Sequence, residues 1–131
     1  DLVVESWIRG GGEGTFCKPA HKYSVVDVKN LVALDTDGTN ITWTETQDHA
    51  KWALTQDSGH PYVCVSDINR MKSQRTRAGG IFCFENSNLA EQLSGTITTA
   101  HACRSEQSSK DRLRGNATKT MVLNNSSVVQ H

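Results

Sequence analysis

The chain has no long apolar run. Nothing in it approaches the roughly 20 residues of a membrane helix, which excludes insertion by a helical span. It has no excess of charge of one sign. Lys and Arg number 14 and Asp and Glu number 14, a balance that exerts no strong nonspecific pull on nucleic acid or anionic membrane. No two cysteines stand two to four residues apart, as structural zinc ligands do, so neither metal nor cofactor is expected. Asp1-Leu2-Val3-Val4 is not a basic-plus-apolar targeting segment; a secreted chain would already have lost its signal peptide. No internal repeat stands out. The 131 residues, 36% of them hydrophobic, suit one domain over 1–131, with a polar C-terminal extension after about residue 104.

What the chain does have is four cysteines and several glycosylation sequons. Cys17, Cys64, Cys83 and Cys103 form an even set of the kind that pairs in an oxidising compartment. Two disulfides are expected, in any of three pairings, each contributing on the order of 2–4 kcal/mol. The Asn-x-Ser/Thr rule marks Asn40, Asn116, Asn124 and Asn125 as acceptors. Together these features predict a secreted, extracellular glycoprotein.

Hydrophobic spacing sets the organisation. Residues 2–8 read as a strand, closed by Gly10-Gly11-Gly12 and Gly14. That glycine run lacks the Lys-Ser/Thr continuation of a phosphate loop and is read as a turn. Ser24 and Asp27 resemble a capping box, and Val25, Val28, Leu31 and Val32 follow at helical spacing, which predicts a helix over residues 24–34. Ile41 and Trp43 alternate as in a strand, and residues 47–54 fit a short helix or an irregular edge. Pro61 suits the start of a strand through Val65. Residues 81–84 and 93–99 read as strands, with a turn at 85–88, and residues 121–123 as a last short strand. The fold class is therefore α+β, one main helix packed on an antiparallel sheet.

Several of these segments carry a resemblance. Tyr23-Ser24-Val25-Val26-Asp27-Val28, His60-Pro61-Tyr62, Phe84-Glu85-Asn86 and Leu93-Ser94-Gly95-Thr96-Ile97-Thr98-Thr99 resemble the plan of the guanine-specific fungal ribonucleases. They also resemble the ribonuclease-like secreted effectors of plant-pathogenic fungi. The resemblance implies a ribonuclease-like scaffold. It also shows departures: Thr99 stands where that family has its catalytic histidine, and its arginine position falls at Gly79-Gly80. It therefore implies a secreted effector or virulence factor without catalysis, delivered into host cells and binding a host protein or RNA.

An active ribonuclease is the alternative, with His60, Glu85, His101 and Arg77 as its acid, base and phosphate-binding groups, and Glu45 within reach. Tyr62, Arg70, Arg75 and Arg77 are the candidate binding residues. An unrelated lectin, toxin or receptor module, with exposed tryptophans meeting a glycan, is the third reading. His21 and His49 have no obvious partners in the sequence and read as surface residues.

Overall fold

A computed structural model describes residues 1–103 and 120–122. Eight strands are present among them: β1 (Leu2–Ser6), β2 (Val25–Leu34), β3 (Asn40–Thr44), β4 (Lys51–Thr55), β5 (Tyr62–Ser66), β6 (Ile81–Glu85), β7 (Ile97–His101) and β8 (Thr120–Val122). One α-helix, α1 (Ser87–Thr96), lies between β6 and β7. The strand order is β6-β5-β4-β1-β2-β7-β8, with β3 on β2. Among the described strands, only β1 and β2 pair in parallel and every other pairing is antiparallel. The protein is thus α+β, with one described helix on a mostly antiparallel sheet.

The long strand β2 serves three neighbours. Residues 25–27 pair with β1, residues 30–34 pair with β3, and β7 runs along the opposite edge. The sheet therefore passes from β1 to β3 beside the middle of β2. The 45–50 loop then crosses that junction and brings the chain into β4, where Lys51 pairs with Ser6.

Strand alternation separates two apolar layers. Val3, Val28, Leu31, Leu54, Val63 and Ile97 form the main core, and Ala90 and Leu93 of α1 pack on it. Val4, Ala53 and Cys64 form a smaller cluster with Leu2 and Val25.

Two sequence expectations are corrected. Residues 25–34 form a strand, not a helix. The ladder to β7 shifts register at Val28, Asn30 and Leu31, so a strand buries Asp27, Val28 and Leu31 at a spacing that imitates a helix. The helix instead covers residues 87–96, where a turn and a strand were expected. Asn86 caps it, accepting the Leu89 amide at 2.9 Å, and β7 begins only at Ile97.

The disulfides are Cys17–Cys103 and Cys64–Cys83. Cys64 and Cys83 are register partners on β5 and β6, and their Cα atoms are 4.0 Å apart. Cys17–Cys103 ties the β1–β2 connection to the chain just past β7. No helix among the described residues is long and apolar enough to cross a membrane.

Candidate functional site

The junction of β1, β2 and β4 gathers most of the buried polar chemistry. Alternation along β1 sends Glu5 to the same side as Val3, and Ser6 to the side of Val4. Glu5 is 0% exposed, and neither of its oxygens has a hydrogen-bond partner among the described residues. Burial, reinforced by the Asp48, Glu45 and Asp27 charges, pushes its carboxyl up to about 8. Asp27, 2% exposed on β2, bonds to the Arg70 guanidinium. Burial raises its pKa, against the lowering pull of Arg70. Arg70 also donates to Gly14 O at 2.7 Å, while its backbone amide donates to Ser6 Oγ at 2.8 Å.

The 45–50 loop hangs above this floor and is held by two indoles. Trp43 Nε1 donates to Asp48 Oδ2 at 2.8 Å, and Trp7 Nε1 donates to Thr46 O at 3.0 Å. The other Asp48 oxygen accepts the Ala50 amide at 2.8 Å, an Asx turn that brackets His49. His49 is exposed, with its ring centroid 4.9 Å from that of Trp7. Lys51 Nζ donates to His49 O at 2.7 Å. An ammonium has three donors, so among the described residues two remain for an anion. A histidine and a lysine two residues apart thus share one end of β4, and Ser6 links Lys51 to the Arg70 backbone.

Beside Arg70 lies an open groove of about 380 Å³, lined by Phe16, Ile68, Asn69, Met71, Arg75 and Arg77 among others. Asn69 is 8% exposed, and its side-chain oxygen has no partner among the described residues. Arg75 is held by Glu13, with Nε to Oε1 at 2.7 Å; this bond lowers the Glu13 pKa and raises that of Arg75.

Some residues singled out from the sequence meet here, and others stand apart. Arg70, Arg75 and Arg77 share the groove. His101, at the end of β7, lies 3.9 Å from Glu45 and near Asp27. His60 sits in the β4–β5 turn against Asp57 at 3.1 Å, and Glu85 ends β6 opposite Tyr62. These three lie at the end of β5 and β6 remote from the segment between those strands that carries Arg70 and Arg77. Asn40 is exposed at the start of β3. Asn116, Asn124, Asn125 and the polar extension from residue 104 lie outside the described residues, apart from β8.

Glu5, Asp27, Asp48, Lys51 and Asn69 carry no motif that marks them in the sequence, and His49, exposed as its sequence context suggests, nonetheless belongs to the site. One usable signal was a glutamate on the inward face of an otherwise apolar strand. Another was a His-x-Lys pair at the entry of the next one.

Comparison with known proteins gives a consistent picture. The deoxyribonuclease II family model matches residues 1–103. Cell-death-related nuclease 7 of Caenorhabditis elegans is 32% identical over 104 residues, covering 79% of this chain and 27% of that protein. A putative deoxyribonuclease-2 of Burkholderia thailandensis is 40% identical over 97 residues, covering 73% and 26%. Deoxyribonuclease-2 of Caenorhabditis elegans is 38% identical over 103 residues, covering 79% and 26%. The chain spans about a quarter of the length of the curated relatives it matches. No solved structure matches. These matches overturn the resemblance to guanine-specific ribonucleases. They also overturn the reading built on it, a noncatalytic fungal effector acting in virulence by binding a host component.

Proposed function

Because this chain belongs to the deoxyribonuclease II family, we propose that it carries part of a DNA-cleaving site centred on His49 and Lys51. Hydrolysing a phosphodiester forms one P–O bond, to the oxygen that attacks and finally to that of water, and breaks another, to the leaving oxygen. The reaction needs a group that moves a proton to or from an oxygen, and positive charge against the phosphoryl oxygens. His49 is an exposed imidazole on a braced loop, suited to the proton. Lys51 follows it with two ammonium donors unused among the described residues, suited to the charge. The observation that carries the reading is this histidine–lysine pair at the entry of β4, set over buried acids in a family of nucleases.

The groove beside Arg70 suits the flanking strand. Arg77 supplies a cationic donor for a neighbouring phosphate, Arg75 being held by Glu13, and the Phe16 ring offers a face on which a base can stack. Arg70 has a different part. Its guanidinium is committed to Asp27 and Gly14 O, so it fixes the groove wall. His101, beside Glu45, is the second proton carrier within the same junction. The two disulfides and the exposed Asn40 sequon support an extracellular or luminal setting.

The test is cleavage by the intact protein of DNA and RNA strands of the same sequence. The reading expects cleavage of DNA. Cleavage confined to RNA, or no cleavage of either strand at any pH from 4 to 9, would overturn it.

A further inference from the structure

We propose that Glu5 is a positioning residue of this site, and that its neutral carboxylic acid is the form that lets the 45–50 loop hold His49 and Lys51 in place. The inference rests on the nuclease reading above for its effect on DNA, but not for its effect on the loop.

The geometry comes first. Glu5 lies in the sheet interior between β2 and β4, with Trp52 as its cross-strand partner. It is fully buried and makes no hydrogen bond among the described residues. An ionised carboxylate in that position would be a buried charge without compensation, which costs several kcal/mol. The groups that face it offer no relief. The 45–50 loop brings Glu45 and Asp48 and β4 brings the uncharged Trp52, while Asp27, paired with Val4 on the other face of β2, adds its charge from across the sheet. Arg70 is engaged by Asp27, and His101 faces Glu45 and Asp27. No cation pairs with Glu5 among the described residues. The shift of its pKa to about 8 follows from the same surroundings.

Ionisation would therefore put a further negative charge beside those of Asp48 and Glu45. Strand β1 is paired with β4 over its whole length and with β2 through Val4, so it cannot yield cheaply. The loop above is held by side-chain bonds and can. Losing the Glu5 proton thus displaces the Asp48–Lys51 segment and sets negative charge beneath the place of an anionic phosphodiester. Both effects weaken DNA binding at alkaline pH.

The chain contains a built-in reporter. Its three tryptophans all border this segment: Trp7 through Thr46 and His49, Trp43 through Asp48, and Trp52 opposite Glu5. The experiment is a titration of intrinsic fluorescence in the intact protein from pH 6 to 10, beside the pH profiles of kcat and KM on DNA. The expected result is a fluorescence transition near pH 8 and a rise in KM of at least tenfold through the same range. Both should be absent in Glu5→Gln. Glu5→Met, apolar and of similar size, serves as the second variant should the glutamine protein not fold.

A transition that persists in a folded neutral variant would overturn the proposal. So would a variant that loses kcat at every pH, because Glu5 would then act in the chemistry itself. The two readings fail separately. A wild-type protein that cuts no DNA defeats the nuclease reading, while the fluorescence comparison still decides the role of Glu5.

Discussion

Trp43 Nε1 donates a 2.8 Å hydrogen bond to Asp48 Oδ2, and Asp48 uses its other oxygen for the Ala50 amide. One carboxylate thus fixes the chain on both sides of His49. Replacing it with alanine removes two hydrogen bonds on a part-buried loop, a stability cost of about 1–3 kcal/mol. The expected outcome of Asp48→Ala is a modest fall in Tm and a larger loss of DNA cleavage, at least tenfold in kcat. Thermal unfolding and steady-state kinetics on the same preparation measure both. Equal, small effects on each would show that the loop does not need this brace.

Arg70 and Asp27 make the buried ion pair of the junction. Removing one partner leaves the other charge buried and alone, which typically costs 3–5 kcal/mol. Arg70→Ala is expected to destabilise the fold by about that much, and Arg70→Lys to rescue it poorly, because an ammonium cannot fork between Asp27 and Gly14 O. The double replacement Asp27→Leu with Arg70→Leu should recover a large part of the loss. Denaturant unfolding of the single and double variants gives the coupling directly.

Glu5 also makes stability depend on pH, with a definite sign. Its pKa rises from 4.5 to about 8 on folding, so between these values the native state binds the extra proton. Unfolding free energy must then fall as pH rises from about 4.5 to 8. The contribution is complete at the acid end and is lost as the folded-state pKa is passed. The fall should amount to a few kcal/mol at about 1.4 kcal/mol per pH unit, and Glu5→Gln should flatten it. Urea midpoints at pH 5, 6.5 and 8 for both proteins test this. Parallel slopes would contradict it.

The disulfides should differ in worth. Cys17–Cys103 spans 86 residues of sequence and Cys64–Cys83 spans 19. The chain-entropy model makes the longer closure the more stabilising by about 1 kcal/mol. Double alanine replacement of each pair, followed by thermal unfolding, should rank them in that order.

Much of the sheet was legible because its strands keep simple alternation. The strands at residues 2–6, 40–44, 62–66 and 81–85 fall where the pattern put them. Strand β2 was not legible, because its register shifts at Val28, Asn30 and Leu31 turn a two-residue period into apparent helical spacing. Its valines were the contrary signal, since β-branched residues favour strands. Helix α1 was hidden for the opposite reason: Gly95 and the β-branched Thr96-Ile97-Thr98-Thr99 run masked the Ala90 and Leu93 face behind the Asn86 cap. The oxidised cysteines could be read from count and context, but their pairing required the register of β5 and β6. The site itself is non-local. Glu5, Asp27, Glu45 and Asp48 come close, and Arg70 joins Asp27, only because β2 serves β1 and β3 in succession, and no local pattern carries that information.

The most direct measurement is single-turnover cleavage of a DNA duplex by the intact wild-type protein, His49→Ala and His60→Ala, with folding checked by circular dichroism. His49→Ala is expected to lose about 10²- to 10⁴-fold in rate, the usual weight of a proton-transfer group. His60→Ala, in its exposed turn against Asp57, is expected to cut at close to the wild-type rate. Full cleavage by a folded His49→Ala protein would contradict the central claim.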